Sequence, residues 1–376
     1  MERILITGGA GFIGLHLARR LLADGAEVTL FDSFSPQIHG SANRLPADLA
    51  PHVRLVRGDV RDKDVFHAAL DGQETVVHLA AETGTGQSMY EVFHYTEVNL
   101  GGTALLMDYL VNSPQCKVAK IVTASSRAIY GEGKYECPAH GMVYPDARLE
   151  ADMKAGRFEP VCPICAEPCV SVPTDESSPL SPSSYYGLTK QVQEQMTLLF
   201  GRTRGLSAFA LRYQNVYGPG QSLQNPYTGI LAIFSNQARA GKPITIFEDG
   251  EESRDFVYID DVVDATWRAI RPDAAGVEAL NVGSGVRTTV SEVVQEIVRF
   301  FGSASEVSVT GAFRLGDIRH NTADLARAEA RLGYAPRWEF RDGLREFLTW
   351  ASAQEAPASR YEESLNELSA KGLMHR

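Results

Sequence analysis

The feature that most constrains the fold lies at the start of the chain. An apolar run, Ile4-Leu5-Ile6-Thr7, leads straight into Gly8-Gly9-Ala10-Gly11-Phe12-Ile13-Gly14. Gly8, Gly11 and Gly14 let the backbone turn tightly and approach a pyrophosphate held at the N-terminus of the helix that follows, with Phe12 and Ile13 inside the turn. Asp32 ends the next strand, about twenty residues on. A carboxylate there accepts hydrogen bonds from a ribose 2′-hydroxyl and repels a 2′-phosphate, which points to NAD rather than NADP. Asp59 and Val60 follow the third strand, where Asp59 can reach the adenine amino group. A glycine turn alone is weak evidence. One that follows an apolar strand and precedes such an acidic residue is stronger.

The alternation continues. Arg3–Thr7, Glu27–Phe31, Val53–Val56, Thr75–Leu79, Lys120–Ala124 and Ala208–Arg212 read as strands. Ile13–Leu22, Val98–Leu110 and Tyr185–Arg204 carry helical periodicity. Strands separated by helices imply a parallel sheet with right-handed crossovers, hence an α/β, Rossmann-type doubly wound fold. The expected layout is a cofactor-binding domain over 1–213 and a smaller α/β substrate domain over 214–350, with 255–285 returning to the first. A polar tail, 351–376, is expected to form a surface helix. The region Gly131–Ser184 breaks the alternation and is rich in Pro, Gly and Cys, so 132–176 is read as an insertion.

A net charge of −11 disfavours non-specific binding to nucleic acid or to anionic membranes. No apolar run approaches the roughly 18–20 residues of a membrane span. Five cysteines, four of them within Cys137–Cys169, do not resemble a secreted disulfide framework. A cytoplasmic location is expected.

Tyr186 and Lys190 stand four apart, on one helix face. A free tyrosine, with a pKa near 10, is a poor base at neutral pH. A nearby ammonium and the positive nicotinamide ring favour its phenolate, which then takes a proton from a sugar hydroxyl as hydride leaves the carbon. Ser126 follows the strand Lys120–Ala124, at the edge where the sheet meets the cofactor, placed to hydrogen-bond the reacting oxygen. A Tyr–Lys pair at this spacing is often an exposed surface pair; the glycine turn upstream and Ser126 between favour catalysis.

Cys137-Pro-Ala-His140 and Cys162-Pro-Ile-Cys165 form two knuckles that can close a tetrahedral Zn²⁺ site of structural type, with Cys169 as a spare for His140. The bland alternative is free thiols in a loop.

Together these residues resemble the extended short-chain dehydrogenase/reductases, the NAD-dependent nucleotide-sugar epimerase and dehydratase family. The likeness runs from Arg3 to about Trp350. Its motifs are TGGAGFIG, HLAA at His78–Ala81, Asn99, SSRAIYG at Ser125–Gly131 and YYGLTK. RYQNVYGP at Arg212–Pro219, SRDFVYIDD at Ser253–Asp261, NVGSG at Asn281–Gly285 and RLGDIRH at Arg314–His320 follow. It implies that Leu79, Ala80, Ala81, Asn99, Tyr186, Lys190 and Tyr213 contact NAD. Ser126, Asn215, Arg254, Arg314 and Asp317 should contact a nucleoside-diphosphate sugar. Within the family, GQSMYE (Gly86–Glu91), NPYTG (Asn225–Gly229) and the Cys-bearing insertion are similar to dTDP-L-rhamnose 4-epimerases. The expected reaction is therefore inversion at C4 through a 4-keto sugar, by a homodimer with tightly held NAD. A 4-keto-sugar reductase or a non-catalytic NAD-binding protein on the same fold are the alternatives. Two residues depart from the pattern. Gln214, where Phe is usual, reads as a packing change. Arg127 replaces a small or apolar residue and is expected to pair with a protein carboxylate, contact an acidic or hydroxylated sugar, or point into solvent. Arg127 and Ala128 also replace the acidic pair of the dehydratases, so elimination of water is not expected.

Overall fold

The computed structural model describes residues 2–40, 44–223, 225, 229–355 and 361–375. Of the NPYTG stretch, Pro226, Tyr227 and Thr228 lie outside the described residues.

Seven parallel strands form the central sheet: β1 (Arg3–Thr7), β2 (Glu27–Asp32), β3 (Arg54–Arg57), β4 (Thr75–His78), β5 (Lys120–Ser126), β6 (Ser207–Tyr213) and β7 (Val277–Val282). Their order is β7-β6-β5-β4-β1-β2-β3. The chain leaves β1 in opposite directions, toward β2 on one side and β4 on the other, and a ligand crevice opens at that switch point, outside the carboxyl ends of the strands. Burial on both faces explains the near-continuous apolar strands: Leu5, Ile6, Val76, Val77, Ile121 and Val122 are fully buried.

Helix α1 (Phe12–Ala23) starts at the glycine turn, and α2 (Tyr185–Arg204) packs across β5 and β6. The Ser184 side chain caps α2 by accepting from the Gly187 N–H, and Gly205 ends it in the left-handed conformation. A π-helical turn, Thr96–Gly101, precedes the helix Gly102–Asn112, so the regular helix begins four residues later than periodicity suggests.

The insertion is ordered. Tyr135–Cys137, Gly141–Val143 and Val170–Ser171 make a small antiparallel sheet, with a short helix at Glu150–Lys154. The C-terminal segment forms the expected helix but docks it against the body of the protein. Its helix, Tyr361–Ala370, buries Tyr361, Leu365 and Leu368, and Met374–His375 pairs antiparallel with Phe313–Arg314. The segment is a docked strap, because those apolar residues find a partner surface in Ala312 and the side of Tyr90. Among the described residues no helix is long and apolar enough to cross a membrane.

Candidate functional site

A cavity of about 960 Å³ lies along the carboxyl ends of β1, β2, β4 and β5. That volume is at the upper end of the range for small-molecule and cofactor pockets. Gly8, Gly11, Phe12, Ile13, Gly14, Asp32, Asp59, Val60, Leu79, Ala80, Ala81, Tyr213, Ser126, Tyr186 and Lys190 all line it. At the glycine turn, a Cβ on Gly14 would stand 2.7 Å from the Gly8 and Gly9 carbonyl oxygens, so only glycine lets the helix start this close to the strand. Asp32 is held by the Ala10 and Phe34 N–H groups, at 2.9 and 2.8 Å. A carboxylate fixed that way at the end of β2 suits a ribose diol and disfavours a 2′-phosphate. Asp59 is engaged by Arg61 at 2.7 Å, which holds its carboxyl below the usual range.

Asn99 requires a correction. It does not line the cavity. Its amide is spent on Glu82 N–H (2.8 Å), the Glu82 carbonyl (3.1 Å) and the Thr189 hydroxyl (2.9 Å), so it ties the loop after β4 to α2.

At the far end the three expected catalytic residues meet. Ser126 ends β5, lines the cavity with Tyr186, and its hydroxyl accepts from the Ala128 N–H at 3.2 Å. Burial pushes the Tyr186 phenol above its ordinary pKa, while the Ser126 hydroxyl and the Arg127 charge pull it back. Lys190, buried one turn along α2, is lowered to about 7 by burial alone. Its ammonium donates to Gln193 Oε1 at 2.9 Å, and Gln193 in turn donates to the Thr103 hydroxyl, which also meets His78 Nε2 at 3.0 Å. Gln193, Thr103 and His78 were not read from the sequence as site residues. A polar residue three positions after Lys190, on the same helix face, was the available signal.

Arg127, Asn215, Arg254, Arg314 and Asp317 fall outside the cavity lining. Arg254 Nη2 lies 3.6 Å from Asp317 Oδ1. Burial opposes ionisation of Asp317, yet four arginines, Arg254 first, then Arg314, Arg148 and Arg127, hold its carboxyl low. Arg127 is lowered to about 9 by burial and by Arg254. Its Nη1 is sealed from solvent with no hydrogen-bond partner, and among the described residues no carboxylate lies within ion-pair range. A salt bridge to a described residue therefore does not describe it. Arg314 Nε, Asn215 Oδ1, Gln221 Oε1 and both amide atoms of Gln214 are likewise buried and unpartnered. Gln214 is therefore more than a packing change: it lines the cavity beside Tyr213 with its whole amide free. Buried polar groups are normally paired, so these unpartnered atoms depart from the usual pattern.

The insertion gathers Cys137, His140, Cys162 and Cys165, whose ligand atoms all lie within 4.8 Å of one another. Cys137 Sγ is 3.8 Å from Cys165 Sγ and 3.6 Å from His140 Nδ1, and Cys162 Sγ is 3.6 Å from His140 Nδ1. With Zn–S near 2.3 Å and Zn–N near 2.0–2.1 Å, tetrahedral edges come to about 3.8 Å and about 3.6 Å. The donor set fits such an ion in both chemistry and spacing. Cys169 falls outside the four; it is buried, and its Sγ turns to the Glu167 carbonyl at 3.7 Å.

A glycine-turn Rossmann sheet ending in a Ser, Tyr and Lys set defines a nicotinamide-dinucleotide enzyme of the short-chain type. The chain belongs to the NAD dependent epimerase/dehydratase family, whose profile matches residues 4–147 and 162–283. It is similar to a dTDP-L-rhamnose 4-epimerase of Burkholderia thailandensis, 40% identical over 94% of this chain and 96% of the relative. A UDP-glucose 4-epimerase of Mycolicibacterium smegmatis is 32% identical over 91% of this chain and 96% of its own length. Among solved structures, the UDP-glucose 4-epimerase of Thermus thermophilus in complex with NAD superposes with a TM-score of 0.73 at 28% identity, covering 94% of this chain and 100% of that one.

Proposed function

We propose that the chain is an NAD-dependent epimerase acting at C4 of a nucleoside-diphosphate sugar. The observation that carries this reading is the junction at Tyr186. A NAD-sized cavity ends on Ser126, Tyr186 and Lys190, beside arginines whose polar atoms lack protein partners. Bound NAD⁺ supplies a reversible hydride acceptor. Tyr186 takes the O4 proton and later returns it, Ser126 orients the O4 oxygen, and the Lys190 and Arg127 charges favour the phenolate. Arg254 and Arg314 bind the diphosphate, with Asn215 on the sugar side and Asp317 fixing Arg254. Lacking an acidic residue at 127 or 128, the site does not assist loss of water.

The likeness to the Burkholderia enzyme makes a dTDP-linked 6-deoxyhexose the first substrate to offer. The unpaired Arg127 makes a nucleotide-linked uronic acid the second. Incubating the purified protein with both, without added cofactor, should give the C4 epimer of one; turnover only with added reduced cofactor would favour a reductase. Tyr186→Phe should lower turnover about 10²–10⁴-fold with NAD still bound. Near-normal activity would place the base elsewhere.

Cys137, His140, Cys162 and Cys165 are read as a structural zinc site, supported by the tetrahedral spacing above. A homodimer is supported by the exposed apolar residues Phe93, Leu188 and Leu199 on and beside α2. The unpaired cysteines suit a cytoplasmic location.

A further inference from the structure

The family profile passes over residues 148–161, the stretch between the two metal-ligand knuckles. That stretch is wired to the sugar-nucleotide side of the site. Arg148 donates to Glu132 at 3.1 Å, to Glu248 at 2.8 Å and to the Asp317 carbonyl at 2.8 Å. From the other end, Glu159 accepts from Arg319 at 2.6 and 2.9 Å and faces His320 Nε2 at 3.1 Å. Arg319 also reaches Glu248 and Asp249, and its backbone N–H donates to Glu132 at 2.9 Å. Met153 and Phe158 pack against Phe313, the residue before Arg314. Outside the insertion, the contacts of this 148–161 stretch fall mainly on the segment Phe313–His320, which carries Arg314 and Asp317, with Glu248 and His375 beside it. None falls on the glycine turn or on α2.

The segment that supplies Arg148 and Glu159 has one short helix of its own, and it is tied at both ends by the knuckles. So short a stretch loses order unless its ends are fixed. We propose that the Cys137/His140/Cys162/Cys165 knuckle is a positioning device for nucleotide-sugar binding. By ordering Arg148 and Glu159, it holds the Arg314–His320 segment in its binding geometry, while the NAD end is independent of it. The role rests on the zinc site proposed above and on Arg314 and Asp317 facing the sugar nucleotide.

The test uses the full-length protein as purified, with dTDP and UDP as calorimetric probes, so that binding is read without reference to turnover. Two perturbations are made: removal of metal by a chelator, and Glu159→Gln, whose side chain is 45% exposed and which leaves the four ligands untouched. Metal removal is expected to release about one zinc per chain and weaken diphosphate binding about tenfold or more, with bound NAD unchanged. Glu159→Gln should retain zinc and NAD and weaken the same binding several-fold, as expected for one lost charge-assisted contact. On an active substrate both should raise KM more than they lower kcat. Protein without metal as purified overturns the knuckle, whatever its activity. Zinc present but removable with no change in diphosphate affinity overturns the positioning role and leaves the epimerase reading standing. Weakened diphosphate binding in a protein that turns over no sugar nucleotide upholds the positioning role and overturns the epimerase reading instead.

Discussion

Two buried groups of arginines lie close together in this molecule and are treated in opposite ways. In the clamp, Arg148 and Arg319 are surrounded by Glu132, Glu159, Glu248 and Asp249, and nearly every guanidinium nitrogen has an oxygen of the protein to donate to. Beside the pocket, Arg127 Nη1 and Arg314 Nε are buried with no hydrogen-bond partner. An unsatisfied buried polar atom costs about 1–3 kcal/mol, and an unpaired buried charge more. The clamp is complete as it stands; the atoms beside the pocket would be completed by the oxygens of the proposed ligand. Under the proposed function, side chains of one type serve architecture in one place and recognition in the other, and the sorting follows from which carboxylates the fold delivers.

The contrast is broken most directly by removing one arginine from each side. Arg319→Met should destabilise the protein by about 3–5 kcal/mol, because Glu159, Glu248 and Asp249 are left around an apolar side chain. Denaturant unfolding checks this, and a loss below about 1 kcal/mol would mean that the clamp is ornamental. Arg127→Met should do the reverse. The ligand-free protein should be as stable as before or more so, since a costly unpaired cation is gone. Its kcat/KM should fall about 10–100-fold, the worth of one charged contact. The rise of kcat/KM with pH should also move upward, because Arg127 lowers the Tyr186 pKa in the free enzyme and its loss delays ionisation of the phenol. An unshifted profile with altered sugar preference would make Arg127 a specificity residue alone.

The same division explains what the sequence made legible. The cofactor end is written locally: a strand, glycines at fixed offsets, an acidic residue, and a Tyr and Lys one helical turn apart. Each is set by spacing within a single element. The clamp pairs Glu132 with Arg319, 187 positions away, and nothing local marks either as buried. Charged residues are ordinarily read as surface, so Arg148, Glu159, Glu248 and Arg319 passed unnoticed. Asn99 was assigned to the cofactor because it sits in a family motif, although its amide faces the loop after β4. The strap was missed for a different reason. Tyr361, Leu365 and Leu368 do have helical spacing, but the polar residues around them outweighed three apolar positions.

The smallest effect is expected at Glu252, which sits where the two regions meet. Its carboxylate is 3.8 Å from Arg319 on the clamp side, its Oε2 has no hydrogen-bond partner, and Arg254 and Asp317 act on it from the pocket side. Burial pushes its pKa up to about 7; Arg254 pulls against this, and Glu248 and Asp317 add to it. The sign follows from proton counts. Near pH 4 and below, the group is neutral in folded and unfolded chains alike, so it costs the fold nothing. Between its ordinary carboxyl pKa and about 7, the unfolded chain has released the proton and the folded chain retains it, so stability falls as pH rises. Above about 7 the folded protein carries a charge that the clamp has not fully paired. Glu252→Gln removes that charge at constant shape. The variant should match the parent near pH 4 and exceed it by about 1–2 kcal/mol at pH 8.5, of the order of one pKa unit. Thermal or urea unfolding at the two pH values gives the comparison. A variant less stable than the parent at pH 8.5 would place Glu252 inside the clamp as a working partner of Arg319, and the boundary between the two regions would then lie on the pocket side of it.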